Sequence, residues 1–321
     1  MKASVVVPLF QKAPYVRRCL ESVAAQTMAD FEVLVIDDGS TDGGGDVVTA
    51  LGDPRFRLIP QENAGESAAR NRGLLEARSR WVAFLDADDE WRPTFLEATL
   101  AQSEAHPGVV GVFTNVLDGT HQRPLLQPRP EGIVDDYFAL VLEDQIGMTS
   151  MGTLARRDAL LACGGFRAGR TIHEVGEDQD AFARLAWTGT VAYVPATLAI
   201  YHSEIPHGST SRAREGRPEM PPRVLSYREL RASGRIPESL ARSSRALCDH
   251  LLRDHAAASI NFGCRAQALR TLAFECGPSA MRGWRFWSLL LRALLPVRAH
   301  ARLRARFARP KARHEARLAS G

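Results

Sequence analysis

Four strand-like runs, Ala3–Pro8, Phe31–Ile36, Arg55–Ile59 and Trp81–Leu85, recur about 25 residues apart at the start of the chain. Each of the first three leads into a stretch with helical character. Pro14–Gln26, for example, sets Val16, Leu20 and Val23 on one face. Phe31–Ile36 after Glu32, and Trp81–Leu85 throughout, are apolar without alternation, the pattern of strands covered on both faces. Neighbouring parallel strands need a crossover, normally a right-handed helix, so this rhythm predicts an α/β fold with a mostly parallel sheet flanked by helices. Ligands of such sheets gather at the carboxyl ends of the strands.

Acidic residues stand at those ends. Trp81–Leu85 runs into Asp86, Asp88 and Asp89, and Phe31–Ile36 runs into Asp37 and Asp38. A third group, Glu177, Asp178 and Asp180, opens an apolar-periodic helix through Phe182 and Trp187. Carboxylates cannot be buried unpaired, so a cationic partner is expected. A hard divalent ion held by one or two carboxylates and a substrate's phosphates fits that need. An isolated Asp-x-Asp suits a solvated turn equally well, and Glu177 to Asp180 could simply complement a helix N-terminus.

The residues around these clusters resemble the family 2 glycosyltransferases. The matching segments are Ser4 to Lys12, Gln26-Thr27, Val35 to Asp42, Asn63 to Gly73 and Phe84 to Asp89. The resemblance is strong over residues 3–110, moderate over 170–215, and silent beyond about 220. It implies a GT-A fold and an inverting, metal-dependent transferase that uses a nucleotide-diphosphate sugar, with a UDP-sugar as the leading donor. Pro8 and Phe10 would border the base, although the family usually carries Tyr and Asn where this chain has Phe10 and Gln11. Stacking survives that change and a hydroxyl contact does not. Asp38 would meet the base edge, Asp86 the ribose, Arg70 the phosphates, and Asp88 a Mn²⁺ or Mg²⁺ ion. Asp178, paired with Glu177, would be the catalytic base that removes the acceptor's proton. The spacing does not choose between His202 and His207 as an extra metal ligand, and His207 is the one carried forward. Ser209, Ser211 and Arg212 would lie in a segment that closes over the diphosphate.

Other enzyme classes fit less well. A sugar nucleotidyltransferase calls for a glycine-rich basic loop after the first strand, and Pro8-Leu9-Phe10-Gln11 is not one. A dehydrogenase fingerprint is also absent there. A non-catalytic sugar- or lipid-binding scaffold would have no use for Asp178.

Charge divides the chain. Residues 1–200 carry a net −10 and residues 201–321 a net +14. The expected organisation is a GT-A domain over 1–220, with nucleotide-sugar binding in 1–110 and the acceptor side in 111–220, then a helical basic extension over 221–321. Within the extension, Trp284 to Pro296 combines aromatic and Leu residues with Arg285 and Arg292, and Arg298 to Arg317 is strongly basic. That composition suits an anionic membrane surface, or equally a helical lid with a solvated tail. No nucleic-acid motif accompanies it, so no nucleic acid is expected. The acceptor is expected to be a glycan or a lipid-linked molecule, chosen by the loops at 118–150 and 203–222. Five scattered cysteines without a Cys-x-x-Cys pair predict free thiols. With no signal-like or spanning apolar segment, the expected location is cytoplasmic, with peripheral association at the inner membrane face.

Overall fold

The computed structural model describes residues 1–167, 176–205, 218–277 and 280–294. The chain divides into two compact units. One comprises the described residues of 1–216 and 222–247, and the other those of 217–221 and 248–321.

The first unit begins with the expected alternation: β1 (Ala3–Leu9), α1 (Ala13–Ala24), β2 (Phe31–Asp37), α2 (Gly44–Ala50), β3 (Phe56–Pro60), α3 (Glu66–Glu76) and β4 (Trp81–Phe84). It continues with β5 (Glu90–Trp91), α4 (Phe95–Ala105), β6 (Gly111–Asp118), β7 (Arg123–Pro124), β8 (Gly132–Val134), α5 (Tyr137–Asp144), β9 (Thr153–Arg156), α6 (Arg157–Ala162), α7 (Glu177–Ala186) and β10 (Val191–Tyr201). Helix α8 (Pro222–Ala232) belongs to the same unit.

All the strands join one sheet in the order β3-β2-β1-β4-β9-β6-β10-β5, with β7 beside β6 and β8 beside β10. The first four are mutually parallel, so their carboxyl ends share one edge. Strand β9 then runs antiparallel between β4 and β6. The sheet is therefore mixed from its middle outward. The sequence run Gly147–Leu154, which reads as a strand, enters the sheet only from Thr153, as β9, and the Pro- and Gly-rich stretch 118–135, which reads as a surface loop, contains the short strands β7 and β8. Strand β10 is longer than its apolar run suggests. Pro195 has no N–H for the ladder, and the strand passes it with register shifts between Val194 and Ala199.

The core explains the apolar runs. Every residue of β1 and β4 is buried, as are Val16, Cys19, Leu20 and Val23 of α1. Phe84 meets Phe166 edge-on at 4.8 Å, with Phe182 closing the trio. Each such ring contributes about 1.5–3 kcal/mol on burial. Helix α3 crosses β1 very closely at Gly73, where an added Cβ would stand 2.2 Å from Val6 Cγ1.

In the second unit a small core of Ala256, Ala268, Leu272, Phe286 and Leu289 joins helical segments. They are the later part of α9 (Glu238–Asn261), α10 (Arg265–Arg270) with a π turn at Thr271–Glu275, and α11 (Trp284–Leu294). Among the described residues no helix is long and apolar enough to cross a membrane. None of the five cysteines is in a disulfide.

Candidate active site

The shared carboxyl edge carries three groups of side chains. At the end of β1, Pro8 is buried and Phe10 is 37 % exposed. Gln11 follows with a positive φ of 53°. Its amide donates to Thr41 Oγ1 and accepts from the Thr41 N–H, which ties the β1 turn to the β2 turn. In the β2 turn Asp38 is 2 % exposed. Its carboxylate accepts from Gln61 Nε2 at 2.7 Å and from the Ala64 and Gly65 N–H groups at 2.9 Å. Asp38 thereby holds the loop that leads into α3.

The β4 turn forms the second group. Asp88 pairs with the Lys12 ammonium, and its carbonyl accepts from Arg18 Nη2 at 2.7 Å. Asp89 is buried and accepts from the His202 N–H at 2.9 Å. Burial, then the charges of Asp86 and Asp88, push the Asp89 carboxyl well above the usual carboxylate range. The His202 ring stands between Glu90 at 2.6 Å and Glu204 at 2.7 Å.

The third group is built around Arg70, which projects from α3 and is 2 % exposed. It pairs with Glu66, with Asp86 at 2.7 Å and with Glu177 at 3.0 Å. Glycine at 176, with φ of 91°, lets α7 start abruptly, so that Glu177 and Asp178 face the β4 edge from the first helical turn. Ser150 spans the remaining gap. Its N–H donates to Asp178 Oδ2 at 3.1 Å and its hydroxyl to Asp86 Oδ2 at 3.3 Å.

This crowding shifts proton affinities. Burial raises Glu66 to about 8, Arg70 pulls the other way, and Asp86, Glu177 and Asp178 add to the rise. Glu177 and Asp178 are raised as well, chiefly by burial and against the pull of Arg70. A carboxylate with raised proton affinity beside a fixed cation is suited to accept a proton near neutral pH.

The sheet edge thus brings Asp86, Glu177 and Asp178 into one bonded cluster with Arg70. Pro8, Phe10, Asp38 and Asp88 lie on the turns of the same edge. Arg70, expected beside phosphates, spends its guanidinium on three carboxylates. Asp180, from the third acidic group, is fully buried against Arg184 at 2.9 Å and Ser226. His207, Ser209, Ser211 and Arg212 lie outside the described residues. Several members of the site were not visible in the sequence: Lys12, Glu66, Ser150 and Arg223. The Arg223 guanidinium on α8 has its pKa lowered by burial and interacts electrostatically with Tyr137, Asp178 and Asp180.

The donor set fits a divalent cation. Asp88 offers hard carboxylate oxygens and already attracts a cation, the Lys12 ammonium. Among the described residues no three or more His, Cys, Asp or Glu side chains form a ready cage. The arrangement matches an ion held by one or two carboxylates with phosphate oxygens completing its shell.

A family model described as glycosyl transferase family 2 matches residues 4–166, just over half of the chain. The chain belongs to that family. The glycosyltransferase YibD of Escherichia coli is 41 % identical over 104 residues, 32 % of this family 2 chain and 30 % of YibD. The chain spans less than half the length of the curated relatives it matches, 46 % of one from Nostoc among them. TarS of S. aureus, solved with UDP-GlcNAc, superposes with a TM-score of 0.66 over 85 % of this chain and 80 % of that one, at 18 % identity. The mannosyltransferase PcManGT of Pyrobaculum calidifontis, solved with GDP-Man and Mn²⁺, gives a TM-score of 0.59 at 20 % identity, covering 91 % and 84 %. At those identities both similarities establish that the fold is shared, with its mixed sheet and flanking helices.

Proposed function

We propose that this chain is an inverting, metal-dependent glycosyltransferase that moves a sugar from a nucleotide diphosphate, most readily UDP, to an acceptor hydroxyl. The observation that carries the reading is the Ser150 bridge, because it ties the acceptor-side carboxylate Asp178 to the donor-edge carboxylate Asp86. One residue thereby sets the spacing between a base and a sugar-nucleotide site.

Pro8 and Phe10 border the base, and Asp38 shapes that pocket by holding residues 61–65. Asp86, oriented by Arg70 and Ser150, receives the ribose. Asp178 takes the acceptor hydroxyl's proton as the oxygen attacks the anomeric carbon, and the C–O bond to the diphosphate breaks on the opposite side. Glu177 and Arg70 fix α7 so that Asp178 holds its position. Asp88 would hold a Mn²⁺ or Mg²⁺, which supplies charge neutralisation for the leaving diphosphate. The complexes of TarS with UDP-GlcNAc and of PcManGT with GDP-Man and Mn²⁺ support a nucleotide-sugar donor and a divalent ion.

The acceptor is a glycan or a lipid-linked molecule met at an anionic membrane surface. Helix α11 supports this, since it buries Phe286, Leu289 and Ala293 and exposes Trp284, Trp287, Leu291 and Leu294 on the other side. Arg285 and Arg292 bond to Asp254 and Asn261 of α9, and the sequence after the helix is Arg-rich.

An Asp178→Asn variant tests the central assignment. Transfer should fall about 10²–10⁴-fold. A thermal shift with UDP-sugar and Mn²⁺ should be retained, because a bound donor stabilises the native state by mass action. Transfer at the wild-type rate, with donor binding intact, would remove the base from the mechanism.

A further inference from the structure

The opposite edge of the sheet carries the reverse charge. Strand β4 begins there, β9 ends there, and between them lies an open cleft of about 410 Å³ lined by Arg78, Ser79, Arg80, Arg156, Arg157 and Asp158. The pairing of Trp81 with Arg156 places it at the amino end of β4, with the acidic turn at the other end of the same strand. Four arginines and a single aspartate line it.

The four arginines differ in how far their charge is already used. Arg157 is pinned: its Nε donates to the Leu74 carbonyl and its Nη2 to the Leu75 carbonyl, both at 2.9 Å, at the C-terminal turn of α3. Arg156 donates from Nε to Asp158 Oδ1 at 2.8 Å. Arg78 and Arg80 are exposed, and neither guanidinium makes a hydrogen bond among the described residues, although the charge of Arg80 helps to lower the Asp158 carboxyl. The backbone that carries them is rigid, because Glu32 Oε1 accepts from the Arg78 N–H at 2.9 Å and the Ser79 N–H donates to Ser4 Oγ at 3.1 Å. Between these two arginines sits Ser79, which is 3 % exposed and whose hydroxyl has no partner. A buried hydroxyl without a partner is uncommon, and a ligand oxygen would relieve it.

We propose that this cleft is a binding site for a phosphate group, distinct from the carboxyl-edge site and independent of the transferase reading. A phosphate presents up to two negative charges and several acceptor oxygens, which suits convergent guanidinium forks better than a single carboxylate does. The volume admits a phosphate together with the group it esterifies. Free phosphate and a phospholipid headgroup share this chemistry.

The test uses the full chain at low ionic strength with a chelator present, so that no divalent ion can draw phosphate to the acidic edge. Inorganic phosphate is titrated calorimetrically, and flotation is measured with phosphatidylglycerol and with phosphatidylcholine vesicles. The comparison is between wild type and R78A/R80A, whose side chains are exposed, with circular dichroism confirming the fold. Saturable phosphate binding that weakens about tenfold or more in the double variant supports the site with free phosphate as its ligand. Selective flotation with phosphatidylglycerol that is lost in the double variant supports it with a headgroup as its ligand. R78K/R80K, which keeps charge and loses the forks, should fall between the two. If neither probe distinguishes R78A/R80A from wild type, the site does not exist.

Discussion

Arg70 and Glu177, 107 positions apart in the chain, meet at 3.0 Å inside the protein. This contact joins α3 to the first turn of α7, and Asp86 and Glu66 complete the carboxyl groups around the guanidinium. Arg70 is thus both an element of stability and the mount for the proposed base.

Removing that cation should be severe. Arg70→Met leaves Asp86 and Glu177 without a counter-charge, and a broken buried ion pair costs about 3–5 kcal/mol. The exposed pair of Arg72 with Glu76 provides the control, since Arg72→Ala should cost about 0–1 kcal/mol. Urea unfolding of the two variants reads the contrast directly. Equal midpoints would mean that the cluster contributes nothing to folding.

The same crowding gives stability a pH dependence of unusual sign. Glu66 binds a proton up to about 8 in the folded protein, against a usual value of 4.5. Between those values the folded state holds more protons than the unfolded state, so stability falls as pH rises. The melting temperature should decline from about pH 5 to pH 8, and Glu66→Gln should flatten that slope. An unchanged slope in the variant would assign the dependence to other groups.

How much of this could be read in advance depends on sequence distance. The four parallel strands and their helices declared themselves, because each is a local run with its own periodicity. The acidic turns after β2 and β4 were legible for the same reason. Strand β9 was not. It is four residues long and antiparallel, and its neighbours β4 and β6 are what make it a strand. Ser150 has no local pattern either, and its role appears only when residues 64 positions apart come together. Arg70 was noticed, but its three partners arrive from α3, the turn after β4 and α7, and no spacing rule foretells that.

Packing at the α3 crossing yields a further expectation. Gly73→Ala would place a methyl 2.2 Å from Val6 Cγ1 in a strand with no room to retreat. Overpacking of this kind costs about 1–3 kcal/mol. Because α3 also carries Arg70, a change in donor affinity should accompany the loss. Thermal melts with and without UDP-sugar measure both effects, and a neutral substitution would show that the helix can shift freely.

The exposed stripe of α11 can be tested separately. A Trp284→Ser/Trp287→Ser variant should lose flotation with phosphatidylglycerol vesicles and keep its fold, since both rings are largely in solvent, 80 % and 54 % exposed. Retained flotation would leave membrane attachment to other parts of the chain.

The position of β9 has one more consequence. Its backbone completes the hydrogen-bonding row of β4, yet it arrives some seventy residues later in the chain. A polypeptide cut near residue 110 would own the whole proposed nucleotide pocket and still present β4 as a bare, apolar margin. Such margins recruit other strands, so the isolated half should self-associate instead of serving as a soluble donor-binding module.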